Sequence, residues 1–360
     1  MSFKQPDEKS GLKKVVIKIG GSLIAPFGNI DKNFISKIVK EISEVEKLGY
    51  KTVLVSSGAI AFGLNRLGYK DKPQDKYTLM SISSIGQILL MDSYIEEFNK
   101  YNKLCAQILL TWEDFDNRKR FLNLKSTIEK LLNFGIIPII NENDAISFDE
   151  IRFGDNDRLS SLVANSISAD ILIILSDVEG LMDKENRLIN IVSSIDSKIL
   201  SLVREKKSSL TSGGMKTKLE AAKIAINSGI TTVLASGYIE NVILRILNNE
   251  NIGTKFLAQK NIDKAKKRWI AFSKRAKGKI YIDEGAKDAI INKNKSLLCA
   301  GIIKIEGEFQ KKDSVCILDK EGNILGCGLV NYSSVELKEF KTKKFEKELI
   351  NRDNFVVLKQ

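Results

Sequence analysis

Two lysines far apart in the chain sit where phosphate chemistry would need them. Val15-Val16-Ile17-Lys18-Ile19 is largely β-branched and reads as a buried strand, and it breaks at Gly20-Gly21-Ser22. A buried strand that ends in glycines beside a lone cation suits an anion, because bare backbone N–H groups can close on its oxygens. Downstream, Ser212-Gly213-Gly214-Met215-Lys216-Thr217-Lys218 leads into an amphipathic helix and delivers a second lysine. Gly154-Asp155-Asn156-Asp157 opens another helix between them in sequence. A transferring phosphoryl group needs its negative charge spread and two mutually repelling anions held together. Lys18 and Lys218 would clamp that group from either side, Asp157 would orient both lysines, and Gly20 and Gly21 would offer backbone donors.

The absence of histidine from all 360 residues narrows the chemistry further. It removes imidazole bases, His-based triads and His-ligated metals. Phosphoryl transfer depends mainly on positioning and charge neutralisation, so it survives that exclusion. Neither the Walker A pattern G-x-x-x-x-G-K-[ST] nor the protein-kinase G-x-G-x-x-G loop is present. Each motif also has a plain reading: a strand-end lysine is often just surface, and Gly213-Gly214 can be only a turn.

The elements that must position these residues alternate. Helical apolar spacing follows Asp31, at Phe34, Ile35, Ile38, Val39, Ile42 and Val45. A strand at 52–56 runs into Ser57-Gly58-Ala59-Ile60, then a long helix covers about 79–101. A strand at 106–110, a helix at 122–133 and a strand at 135–140 follow. The last runs straight into Asn141-Glu142-Asn143-Asp144. A strand at 171–175 ends in Ser176-Asp177, and the strand at 231–235 closes this half. Strands alternating with helices predict a three-layer αβα sandwich with a largely parallel sheet. Polar clusters recur just past strand ends, the edge where open α/β sheets bind ligands.

Beyond about residue 250 the character changes to short strands between glycine and charged turns, with one helix at 286–291, which predicts a small β-rich domain. The expected divisions are a tail at 1–13, an α/β domain at 14–258, a linker at 259–277 and the β-rich domain at 278–356. Residues 261–360 carry +8 of the net charge of +12. That excess admits an acidic partner such as RNA, while the plain reading is lysine-rich solvated faces. No apolar run approaches the roughly 20 residues of a membrane span, and the Lys-rich N-terminus lacks the apolar core of a secretory signal. Cys105, Cys299, Cys316 and Cys327 show no CxxC pairing, so reduced thiols in a cytoplasmic protein are expected and a zinc site is not.

Taken in order, Val16-Ile17-Lys18-Ile19-Gly20-Gly21-Ser22, Ser56-Ser57-Gly58-Ala59-Ile60, Asn141 to Asp144, Gly154 to Asp157 and Ser212 to Lys218 resemble the motifs of the amino acid kinase family. The resemblance extends into Lys267-Arg268-Trp269 and Asp283 to Ala286, and so covers nearly the whole chain. The Asn-Glu-Asn-Asp and Gly-Asp-Asn-Asp pair is similar to the branch that acts on glutamate rather than on aspartate, acetylglutamate or uridylate. The resemblance implies ATP-dependent phosphorylation of the γ-carboxylate of L-glutamate, the first step of proline synthesis, with Mg²⁺ and no metal ligand assigned among the side chains. It implies Lys18, Lys218 and Asp157 as catalytic. Ser57, Gly58, Asp144, Asp155 and Asn156 would bind glutamate, with Asp144 facing its ammonium group. Lys18, Gly20, Gly21, Ser176, Asp177, Ser212, Gly213, Gly214, Met215, Lys216, Thr217 and Lys218 would bind ATP. It further implies a homo-oligomer and proline as feedback inhibitor.

The tail resembles a PUA domain, a fold that binds RNA in many RNA-modifying enzymes; attached to a kinase, it is expected to be structural or regulatory first. The alternatives are a sibling kinase with another small carboxylate, or an RNA-binding protein acting through this tail. Two positions depart from the family, Ser176 and Ser212, where threonine is usual, and both keep a hydroxyl. Arg158, directly after Asp157, has no role that the sequence explains.

Overall fold

Short apolar strands alternating with longer helices build the first half of the molecule. The computed structural model describes residues 13–147, 156–203, 214–259, 267, 269–270, 274, 276–339 and 345–358. The chain divides into two compact units, Met1–Asp114 with Arg118–Asn261, and Phe115–Asn117 with Ile262–Gln360.

In the first unit, β1 (Lys14–Ile19) leads into a single turn, α1 (Gly21–Ile24), and then α2 (Lys32–Lys47). The Asp31 carboxylate starts α2 by accepting from the Phe34 amide at 3.0 Å. After β2 (Lys51–Ser56) come α3 (Ala59–Leu67) and the 24-residue α4 (Lys76–Asn99). Then follow β3 (Cys105–Leu110), α5 (Trp112–Asp116), α6 (Arg118–Asn133), β4 (Ile137–Glu142) and α7 (Asn156–Ile167). The remainder is β5 (Ile171–Ser176), β6 (Ile191–Val192), α8 (Ser197–Leu200), α9 (Met215–Asn227), β7 (Thr231–Ser236), α10 (Val242–Leu247) and β8 (Thr254–Phe256).

These strands form one eight-stranded sheet in the order β3-β4-β2-β1-β5-β7-β8-β6. The first six are mutually parallel, so the carboxyl ends of β1, β2, β4, β5 and β7 share one edge. The sheet does not close at β7: antiparallel β8 and the two-residue β6 extend it. Strands of two or three residues are too short for alternation to mark them in sequence.

Strand alternation decides which face each side chain takes. Val15, Ile17 and Ile19 of β1 join Leu54, Ile139, Ile173 and Leu175 in a core covered by α2, α4 and α10. Lys18, between Ile17 and Ile19, therefore turns to the opposite face, where α7 packs on β1 and β5. Every residue of α7 except Arg158 is buried.

The second unit is a separate five-stranded sheet in the order β10-β9-β11-β12-β13. Its strands are β9 (Ala276–Ile282), β10 (Ile302–Gly307), β11 (Ser314–Leu318), β12 (Ile324–Leu329) and β13 (Phe355–Val357). Helix α11 (Glu284–Ile291) is capped by Asp283, which accepts from the Ala286 amide at 2.7 Å. Ile280, Ile282, Phe309, Val315, Ile317 and Ile350 lie at the centre of its own core.

One close packing fixes the approach to the sheet edge. A methyl group at Gly86 would lie 1.7 Å from the Ala59 carbonyl oxygen, and one at Gly63 would lie 2.1 Å from that of Ile82. The two glycines thus let the backbones of α3 and α4 touch. Gly86→Ala is expected to cost roughly 1–3 kcal/mol of stability through forced separation of the helices. Urea denaturation measures this; an unchanged midpoint would show that the helix contact yields freely.

Candidate active site

Asp157, the second residue of α7, is fully buried at the carboxyl edge of the sheet. Its Oδ1 lies 2.5 Å from Lys18 Nζ at the end of β1, and its Oδ2 lies 3.1 Å from Lys218 Nζ in the first turn of α9. Thr217 adds a hydroxyl that donates to Oδ2 at 3.0 Å. Lys18 is 1% exposed and Lys218 7%. Two buried ammonium groups repel each other strongly in a medium of low dielectric constant, and a carboxylate between them makes the arrangement tenable. Each oxygen takes one lysine, so the carboxylate sets the position of both cations at once.

Asn156, the preceding residue, faces a different set of partners. Its side-chain amide donates to Ser57 Oγ at 2.7 Å, to Asn141 Oδ1 at 2.8 Å and to the Ser56 carbonyl at 3.2 Å. Asn141 in turn donates to Gln87 Oε1 of α4 at 2.9 Å, and its Oδ1 also accepts from the Glu142 amide. The hydroxyls of Ser56 and Tyr94 lie 2.8 Å apart. Burial pushes the Tyr94 hydroxyl well above the ordinary phenol range, so it stays neutral at physiological pH. Gly58 turns the chain between β2 and α3 at φ 116°, a left-handed conformation that requires glycine.

Asp144 lines a cavity of about 250 Å³ together with Ala59, Gln87, Gln107, Glu142 and Asn143. Gln87 belongs both to that cavity and to the chain of amides leading to Asn156. A larger cavity, about 380 Å³, holds none of these residues; Lys13, Asp170, Thr231 and Lys255 place it at the amino edge of the strands. Open parallel sheets build their sites at the carboxyl edge, which favours the smaller cavity.

The remaining sequence candidates fall as follows. Gly20 does not offer a free amide: its N–H donates to the Leu175 carbonyl at 3.0 Å. That bond ties the strand end to β5, and a methyl group at Gly20 would sit 3.3 Å from the same oxygen. Gly21 begins α1, and Ser176 donates to the carboxylate of exposed Asp177 at 2.9 Å. Gly214 and Lys216 are exposed and Met215 is half-buried at the start of α9, and among the described residues of this group Thr217 and Lys218 reach Asp157. Asp155, Ser212 and Gly213 lie outside the described residues.

Asn141 and Gln87 escaped the sequence reading as site residues. Asn141 lay within a motif already singled out, whereas Gln87 is one polar residue in a long apolar helix and gave no signal. Arg158 places its guanidinium carbon 4.6 Å from the Trp112 ring centroid, a cation–π contact that accounts for an aromatic neighbour. Asn141→Ala should cost about 1–3 kcal/mol of stability, because it strips an acceptor from the buried Asn156 amide and a donor from Gln87. Chemical denaturation reads that loss, and wild-type stability would mean the amide chain is not structural.

Comparison with known proteins agrees with this architecture. Residues 13–236 match the model of the amino acid kinase family, and residues 278–351 match that of the PUA domain. A glutamate 5-kinase of Thermoanaerobacter sp. strain X514 is 41% identical, over 96% of this chain and 98% of its own. That of Methanosarcina barkeri is 43% identical, over 92% and 90%. Giardia carbamate kinase superposes with a TM-score of 0.50 at 21% identity, covering 69% of this chain and all of its own, a likeness of fold. A family match over more than half the sequence, with relatives this similar along nearly its whole length, establishes that the chain belongs to the amino acid kinase family.

Proposed function

We propose that this protein transfers the γ-phosphoryl group of ATP to the γ-carboxylate of L-glutamate, giving L-glutamate 5-phosphate and ADP as the first step of proline synthesis. One observation carries the reading. Consecutive residues at the start of α7 serve two different clusters, Asp157 the pair Lys18 and Lys218, Asn156 the pair Ser57 and Asn141. A phosphoryl donor and a small polar acceptor would thereby be brought side by side. The curated relatives are named glutamate 5-kinases, and the shared family supports the same acceptor here.

In this mechanism a glutamate γ-carboxylate oxygen attacks the γ-phosphorus while the bond to the β,γ-bridging oxygen breaks. The acceptor is already ionised at neutral pH, so no general base is needed. Asp157 is unsuited to that role in any case, since both its oxygens are engaged by ammonium groups. Lys18 and Lys218 offset charge developing on the transferring group and on the departing ADP. Ser57, Asn156 and Asp144 hold the amino acid, Asp144 toward its ammonium group. Gly21, Ser176, Asp177 and the start of α9 contact the nucleotide.

Mg²⁺ in such a reaction is commonly held by the nucleotide's own phosphates with one or two carboxylates. The Asp157 carboxylate does not fit a metal, because lysines occupy both its oxygens. Among the described residues, no group of three or more Cys, Asp or Glu is placed to hold an ion.

The test is the purified protein with ATP, Mg²⁺ and a panel of L-glutamate, L-aspartate and N-acetylglutamate, with hydroxylamine trapping the acyl phosphate. Hydroxamate should form with glutamate, and the same assay run with proline tests feedback inhibition. A signal with another acid and none with glutamate would overturn the assignment. Lys218→Ala should lower kcat by about 10²–10³, the range for loss of one preorganised charge-stabilising group; unchanged turnover would remove Lys218 from the mechanism.

A further inference from the structure

Nothing in the sequence pairs Cys316 with Cys327, because eleven positions separate them and no CxxC pattern marks them. In the fold they are direct partners across the antiparallel pair β11 and β12. Their sulfur atoms lie 3.7 Å apart. Lys279 of β9 is the register partner of Cys316 on its other side, so lysine, thiol and thiol run in one row across three strands. Val315 and Ile317, on either side of Cys316, point into the domain core, which leaves Cys316 on the opposite face. Cys316 is partly exposed and Cys327 is 8% exposed.

We propose that Cys316 and Cys327 form a redox-active dithiol, which a low-molecular-weight disulfide oxidises to a cross-strand disulfide. The order of events follows from the two environments. Either thiol can donate across the 3.7 Å gap, but once Cys316 is ionised only Cys327 can; this with the nearby Lys279 ammonium holds the Cys316 thiol down to about 7, while Cys327 is pushed well above the ordinary range. Burial pushes Cys105 and Cys299 the other way, each up to about 11. Thiolate character and access therefore coincide at Cys316 alone, and reactivity follows both.

The exchange balances in two steps. The Cys316 thiolate attacks one sulfur of R–S–S–R, forming the mixed disulfide and releasing RS⁻. That step removes the negative charge that held the proton on Cys327. The Cys327 sulfur then attacks the Cys316 sulfur, its proton leaving with the second thiol as RSH. Two protein thiols are oxidised and one small disulfide is reduced to two thiols. Opposed positions on paired antiparallel strands fall within the Cα separation of roughly 4.4–6.8 Å that a disulfide spans, so the strands need not part.

The test treats the full-length protein with oxidised glutathione, quenches in acid, unfolds it, alkylates the remaining thiols and maps peptides by mass spectrometry. The expected product is a linked Cys316–Cys327 peptide, lighter by two hydrogens, with Cys105 and Cys299 recovered alkylated. Cys327→Ser should instead accumulate a stable glutathione adduct on Cys316. Cys316→Ser should slow the modification of Cys327 roughly tenfold or more relative to that of Cys316 in the wild type. Circular dichroism checks that each variant is folded, and the wild-type peptide map stands independently of both. Recovery of both cysteines alkylated after oxidant, or of separate adducts on each, would overturn the proposal.

Discussion

A single buried carboxylate between two buried ammonium groups is the constraint on which the kinase half depends. Lys18 comes from the first strand, Lys218 from a helix 200 residues later, and Asp157 from the helix that lies between them. Placing any one of these charges in the interior alone would cost several kcal/mol. Together they are tenable, and the arrangement holds two cations where a transferring phosphoryl group would need them. The alternation of β1 makes this geometry possible: Ile17 and Ile19 enter the core under α2, which turns Lys18 toward α7.

Because α7 is buried along nearly all its length, its first turn is positioned by packing rather than by the site itself. Asn156 and Asp157 share that rigid placement and point to different clusters. The amide chain from Asn156 through Asn141 to Gln87 ties the Asn156 cluster to α4, and the glycine contact between α3 and α4 holds that helix close to the strand edge. A small shift of α4 would therefore be felt at Asn156 before it was felt at Lys18.

Much of this was legible in sequence. The β-branched runs and the helical spacing after Asp31 marked β1 and α2, and polar clusters past strand ends marked the carboxyl edge where Lys18, Asp157 and Lys218 meet. What stayed hidden shares a physical cause, dependence on contacts between distant segments. Gly20 looks like an amide donor until its N–H is seen to pair with Leu175 of β5. Gln87 is ordinary until Asn141 arrives beside it, and β6 and β8 are too short for any period to show. The Cys316 and Cys327 pair is a fact of strand register, which local sequence does not display.

The central claim is that Asp157 acts through the two lysines it holds, and a double-mutant cycle on kcat/KM for ATP tests it most directly. The set is wild type, Asp157→Asn, Lys18→Ala and the double variant, each checked for folding. If Asp157 works by placing Lys18, removing both should cost little more than the worse single change, giving an interaction energy of roughly 1–3 kcal/mol. Effects that simply add would contradict the account, since they would mean the carboxylate and the lysine contribute independently.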